Sequence, residues 1–282
     1  MNSHRPTFIQ TVLFLTTCFT TLMAGAMMEG VIPWETPERI LEGLPFAGSL
    51  MTILLTHEMG HYIMSRRHGT PASLPYFIPA PSMIGTFGAV IKMQSRILDR
   101  RALLDIGAAG PLAGFIVSIV ASAVGLAQSE VLPVAGEMPD GSIQLGDSLI
   151  FKLLSYAVLG VDPSDSTVLL HPVAFAGWIG LLVTALNLIP VGQLDGGHIC
   201  YALFGDEKHG IISNTAIPVL IALGVLFWPG WLVWGLLLIF LGRKHPPVVL
   251  PFITLDAHRR RIGWISLGVF ILTFMPVPFS GF

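Results

Sequence analysis

The sequence predicts an all-α polytopic membrane protein, with about six to seven transmembrane helices and a short membrane-associated β-hairpin between the second and third. Three observations carry that prediction. Only 11% of the 282 residues are charged, against about 25% in ordinary soluble domains. Hydrophobic residues make up 53%, with a mean hydropathy of +0.74. Apolar runs repeatedly approach the ~20 residues that cross a hydrocarbon core. The same figures exclude a water-soluble globule, a disordered chain, a collagen and a disulfide scaffold. A net charge of −2 leaves no basic face for phosphates, so no nucleic-acid partner is expected. Cys18 and Cys200 lie within or just beyond apolar runs and give no reason to expect a structural disulfide.

In chain order, the apolar runs place spans near 8–28, 40–64, 102–127, 168–190, 211–228, 231–242 and 262–279. The first is read as a retained helix, although Ala24-Gly25-Ala26 also resembles a secretory cleavage site. Between the second and third spans, residues 74–94 mix apolar, Pro and Gly positions. Phe87–Met93 there reads as a short strand or re-entrant hairpin with a free edge, either to pair with an extended substrate or only to seal the site from lipid. In the third span Gly107, Gly110 and Gly114 recur at spacings of three and four, a small-residue face for packing against a neighbouring helix. The stretch from His209 to Gly242 has no Asp, Glu, Lys or Arg and is too long for one crossing. Trp228-Pro229-Gly230-Trp231 in its middle is turn chemistry flanked by interface aromatics, so a helical hairpin is expected. Its second arm is only about 18 Å long at about 1.5 Å per residue, which leaves a re-entrant segment open.

Thirteen of the 15 Lys and Arg residues fall on one side of this arrangement, among them Arg66, Arg67, Arg100, Arg101 and Arg259 to Arg261. The other side keeps Arg39 and Lys152 and carries Glu29, Glu35, Glu38, Glu130, Glu137, Asp140, Asp147, Asp162 and Asp165. Positive charge accumulates on the cytoplasmic side, which gives an N-terminus inside, a C-terminus outside and seven crossings. The expected setting is a bacterial-type cytoplasmic membrane. Three regions follow: 1–39, an N-terminal helix and outer loop; 40–200, a core carrying the chemistry; and 201–282, the C-terminal helices.

The chemistry starts in the second span, at His57-Glu58-Met59-Gly60-His61. Residues four apart share a helix face, so His57 and His61 can offer ring nitrogens to one metal while Glu58 reaches its water. Composition alone predicts about 0.008 such patterns in a chain of this make-up, so chance is a poor explanation. Each ionisable group in a span costs about 2.5–3.5 kcal/mol on insertion scales, so the cluster needs a partner. The bland reading is a set of interhelical hydrogen bonds with a protonated Glu58. Counting nine residues back from Arg66 places the site about 13 Å below the cytoplasmic end of the helix. Catalytic zinc takes three protein ligands and leaves a fourth position for water. The best third candidate is Asp195, in Asn187-Leu-Ile-Pro190-Val-Gly192-Gln-Leu194-Asp195-Gly196-Gly197-His198, where Pro190 stops the fourth span and the glycines let the chain fold back. Asp195 also reads as an ordinary interface turn or helix cap.

These two motifs, in this order, resemble the site-2 protease family of intramembrane zinc metalloproteases over roughly residues 40–200. Pro75-Tyr-Phe-Ile-Pro-Ala-Pro81, Gly85-Thr-Phe-Gly88-Ala and Asp105-Ile-Gly-Ala-Ala-Gly110-Pro111-Leu-Ala-Gly114 are similar to the branch that includes the plant chloroplast EGY-type members. A long N-terminal extension, an inserted PDZ domain and an appended CBS domain are not seen. The resemblance implies one zinc per chain on His57, His61 and Asp195, with Glu58 as general base and later acid. It also implies that Asn187 holds the substrate backbone or the developing oxyanion. From its residue type alone, Asn187 is a donor to a tetrahedral intermediate or an interhelical contact. The expected partners are a transmembrane protein substrate and the lipid bilayer, and the oligomeric state stays unread. A metal-ion transporter and a catalytically silent membrane chaperone on the same fold are the alternatives. His198 reads as a solvated loop residue, or else as a group supporting the metal ligands. His4, His68, His171, His209, His245 and His258 receive no role.

Overall fold

A computed structural model describes residues 4–132, 144–161 and 167–280; Glu137, Asp140, Asp162 and Asp165, counted above with the outer loops, lie outside the described residues. Helix α1 (His4–Met28) is followed by a 3-10 turn (Pro37–Gly43) and α2 (Leu44–Arg67). The strands β1 (Tyr76–Pro79) and β2 (Thr86–Val90) precede α3 (Arg100–Leu126). Then come β3 (Glu130–Leu132), β4 (Gln144–Leu145), α4 (Leu149–Leu159), β5 (Thr167–Leu169) and α5 (Pro172–Asn187). The remainder is α6 (Asp195–Phe204), α7 (Asp206–Leu226), α8 (Gly230–Leu241), α9 (Ala257–Thr273) and β6 (Phe279–Ser280).

Sequence signals explain the ends that position the site. Arg66 and Arg67 occupy the last turn of α2, where cations suit the helix dipole, and Gly69 at a φ of +63° closes it. Asp99 caps α3, its Oδ1 accepting the Ala102 N–H at 2.8 Å. His171 caps α5 in the same way through Nδ1, 3.3 Å from the Val173 nitrogen, with Pro172 at the first helical position.

Helices α2, α3 and α5 pack together as the centre of the fold. Phe46, Leu50 and Leu54 of α2 meet Trp178 and Leu181 of α5 in a buried apolar cluster. On one side α1 lies against α2 and the β1–β2 hairpin. Its Thr20 hydroxyl donates to the Gly85 carbonyl at 2.6 Å and its Gln10 amide to the Leu74 carbonyl at 2.6 Å. Gly25, in the Ala24-Gly25-Ala26 segment, sits against the backbone of Gly43, so small residues there serve a close helix contact. On the other side α6 and α9 pack on α3, while α7 and α8 form a hairpin joined to α6.

The expected β-hairpin forms as an antiparallel pair, with Tyr76 opposite Val90 and Phe77 opposite Ala89. Its second strand begins one residue before the predicted Phe87 and ends at Val90 rather than Met93. The long uncharged stretch is the α7–α8 hairpin, turning at Trp228-Pro229 as predicted. Trp231 corrects one expectation. It is fully buried and its indole N–H donates to the Pro276 carbonyl at 2.8 Å, so it belongs to the core and not to an interface belt.

By length and composition, four helical segments can cross a membrane: Thr7–Met28, Pro37–Arg67, Arg100–Leu126 and Asp206–Leu226. The predicted fourth span shortens to the 16 residues of α5, about 24 Å at about 1.5 Å per residue, because β5 and the His171 cap start the helix late and Pro190 with the turn after it ends it early. Helix α4 was expected as outer loop. Its ends carry ordinary signals, Ser148 accepting the Phe151 N–H at 3.2 Å and Gly160 closing the helix at a φ of +71°.

Candidate metal centre

His57 and His61 sit one turn apart on α2, both buried, with their Nε2 atoms 3.1 Å from each other. Asp195, the first residue of α6, places Oδ2 3.4 Å from His57 Nε2 and 3.3 Å from His61 Nε2. A tetrahedral zinc with bonds of about 2.0–2.1 Å spreads its ligands about 3.3 Å apart. All three edges of this donor triangle match that spacing, so the residues fit a zinc ion.

Each donor is held from behind. His61 Nδ1–H donates to the Ile106 carbonyl of α3 at 2.7 Å, which leaves the Nε2 lone pair for a metal. Gly110 lies where any side chain would strike the His61 ring, and a methyl at Gly114 would come within 3.2 Å of His57. Gly60 of α2 in turn faces the Ala109 carbonyl, so the two helices meet backbone to backbone around the imidazoles. Asp195 arrives on a turn that only glycine permits. Gly192 has a φ of +55°, while Gly196 and Gly197 press on the carbonyls of Leu188 and Gly192 with no room for a side chain. Arg100 of α3 fixes the other end of α6 by donating to the Ala202 and Leu203 carbonyls at 2.8 and 3.0 Å.

Glu58 is buried beside His57, and it shares with the three donors and Asn187 a cavity of about 220 Å³. Asn187, on the last turn of α5, brings its amide nitrogen 3.3 Å from His57 Nε2. Ala89 and Val90 of β2 form the opposite wall. Among the described residues, His57, His61 and Asp195 are the only cluster that could hold a metal ion.

Two supports lie around the donors; sequence reasoning left the first, His198, between two readings and missed the second. His198 is not a solvated loop residue: it lies on α6, lines the cavity, and its Nδ1 is 2.7 Å from His245 Nε2. Burial pushes His198 down to about 4 against the pull of Asp195, and burial together with His198 pushes His245 down to about 3. The second support is Asp105, buried on α3 one residue before Ile106. His68 Nε2 lies 2.8 Å from its Oδ2, and Arg259 of α9 grips both oxygens at 2.8–3.1 Å. Asp105 and Asp256 raise Arg259 above its usual range. An aspartate inside an apolar span was the available signal for this clamp.

Paired imidazoles, an adjacent glutamate and a carboxylate from a later helix, set in an apolar helical frame, define a membrane metallopeptidase type of site. The chain belongs to peptidase family M50, the family of the site-2 proteases, whose family model matches residues 45–229. It is 36% identical over 238 residues to the probable zinc metalloprotease EGY1, chloroplastic, of Arabidopsis thaliana, covering 83% of this chain and 43% of that protein. The rice (Oryza sativa subsp. japonica) protein of the same name is 35% identical over 83% of this chain and 41% of its own length. The probable zinc metalloprotease EGY2, chloroplastic, of Arabidopsis is 30% identical over 88% of this chain and 44% of that protein. The chain thus spans less than half the length of these relatives. Their names place them in chloroplasts, which lends no support to the bacterial-type membrane expected above. No solved structure matches the chain.

Proposed function

We propose that this protein is an intramembrane zinc metalloprotease that hydrolyses a peptide bond in or near a transmembrane segment of a membrane-protein substrate, as in regulated intramembrane proteolysis. The observation that carries this reading is the tetrahedral donor triangle of His57, His61 and Asp195 with Glu58 beside it in one buried cavity. His57, His61 and Asp195 would hold the zinc, which would supply a Lewis acid for the scissile carbonyl and lower the pKa of a bound water from 15.7 toward about 7. Glu58 takes the proton of the attacking water and passes it to the leaving amine. The Asn187 amide donates to the carbonyl oxygen as negative charge grows there, while its closeness to His57 also joins α5 to α2.

A helix about 10 Å wide cannot enter a cavity of this size, so the substrate unwinds before its bond reaches the donors. Among the described residues β2 pairs with β1 alone. Its other edge, with Ala89 and Val90 at the cavity, suits an unwound strand. His57 lies about 13 Å along α2 from the basic end at Arg66, which supports a site near the cytoplasmic face. A transport pathway needs more than one polar station, and the donors converge on a single point.

The decisive experiment is cleavage of a panel of single-span membrane peptides in detergent by the wild type and by Glu58→Gln, with zinc measured in both. The variant should keep its zinc and lose at least about 100-fold in kcat/KM. Cleavage by both proteins would remove Glu58 as the base, and cleavage by neither would count against proteolysis.

A further inference from the structure

Of the polar side chains that line the cavity, Gln193, which is exposed, and His198, which is partly buried, have no part in the mechanism above. The carbonyl of Pro246 can only accept a hydrogen bond, so His245 Nδ1, 2.6 Å away, carries a proton. A neutral imidazole has one N–H, and His245 Nε2 is therefore a lone pair. His198 Nδ1, at 2.7 Å from it, must be the donor. It follows that His198 Nε2 carries no proton. Burial keeps both rings neutral, which preserves the chain of tautomers. Packing holds the His245 ring in place for this chain of bonds: the Tyr201 ring lies with its centroid 4.4 Å away and the His209 ring at 5.7 Å. Gly107 makes room for the His198 side chain, since a methyl there would lie 2.9 Å from its Cβ. No donor among the described residues reaches His198 Nε2, although the side chain lines the cavity with Glu58 and Asn187.

A substrate strand that has left its helix brings unpaired N–H groups into this cavity, and each is costly until an acceptor meets it. Asp195 and the two α2 imidazoles converge on the metal position, and Glu58 is committed to the attacking water in the mechanism above. We propose that His198 binds the substrate, its Nε2 accepting a hydrogen bond from a backbone N–H of the unwound strand, and that His245 and Pro246 are positioning residues that hold it in the accepting tautomer. This inference rests on the protease reading.

The probe is a labelled single-span peptide of about 24 apolar residues with a central Gly-Pro, titrated into zinc-loaded full-length protein carrying Glu58→Gln so that it is not consumed. His198→Phe should weaken its binding about tenfold, and His245→Phe about three- to tenfold, with zinc content unchanged. His245→Gln should stay within about twofold, because its side-chain oxygen can accept the His198 Nδ1–H. In the active background the losses should appear in KM with kcat nearly constant. Nitrogen NMR of histidine-labelled protein should show His198 Nε2 unprotonated, a signature lost in His245→Phe and kept in His245→Gln. Unchanged peptide affinity in His198→Phe, a protonated Nε2 in the unsubstituted protein, or equal damage from both His245 variants overturns the proposal. Failure of the protease reading looks different: tight, His198-dependent peptide binding with no cleavage by the unsubstituted chain.

Discussion

The two halves of α3 use the same device for different ends. In its first half, Gly107, Gly110 and Gly114 make room for side chains, the rings of His198, His61 and His57. In its second half, Ser118, Ser122 and Gly125 continue the stripe, but there the close approach is to α5: Gly180 meets Ser118, Gly177 meets Ser122, and Gly125 meets the backbone of Ala174. At these small positions, one half admits side chains of the site and the other admits the residues of α5. A small residue is therefore kept by the chemistry in the first half and by the packing in the second, although both look alike as sequence.

Substitutions can separate the two. The largest effect is expected at Gly110→Ala, whose methyl would occupy the space of the His61 ring. Zinc content should fall about tenfold or more while the melting temperature moves little; retained zinc would break the distinction. Next comes Gly177→Ala, where the methyl meets the Ser122 backbone at 2.5 Å. Overpacking of this kind costs about 1–3 kcal/mol, so thermal unfolding should shift down by several degrees, with zinc per folded molecule unchanged. A variant that instead lost zinc and kept its melting point would merge the two halves into one functional stripe. A smaller effect belongs to Gly114→Ala, at 3.2 Å from His57 Cβ and Nδ1. Zinc affinity should weaken about threefold. Gly48→Ala on α2, with nothing within 4 Å, sets the baseline and should stay within about 0.5 kcal/mol in unfolding measurements.

Local signals made much of this legible. The spacing of His57 and His61 fixes their common helix face, and Pro190 with the following glycines marks a chain that must turn back. The glycines at 107, 110 and 114 announce a close helix contact without saying what is packed there. Helix α6 was hidden by its own glycines: Gly196 and Gly197 lower helix propensity, yet a side chain at either position would strike the Leu188 or Gly192 carbonyl. Helix α4, at 11 residues, is too short to stand out by hydropathy between acidic loops. The pairs His198–His245 and Asp105–Arg259 join residues 47 and 154 positions apart. No periodicity or spacing rule reaches that far, and Trp231 reads the same as an interface anchor or a core residue until its neighbours are known.

The clamp on Asp105 also sets a schedule. Its grip on α3, beside the carbonyl that orients His61, is closed by Arg259. A chain emerging from the ribosome N-terminus first delivers His57 and His61 early, Asp195 much later and Arg259 later still. The donor set of His57, His61 and Asp195 therefore stays incomplete through most of synthesis, and the support behind it on α3 closes only once α9 docks.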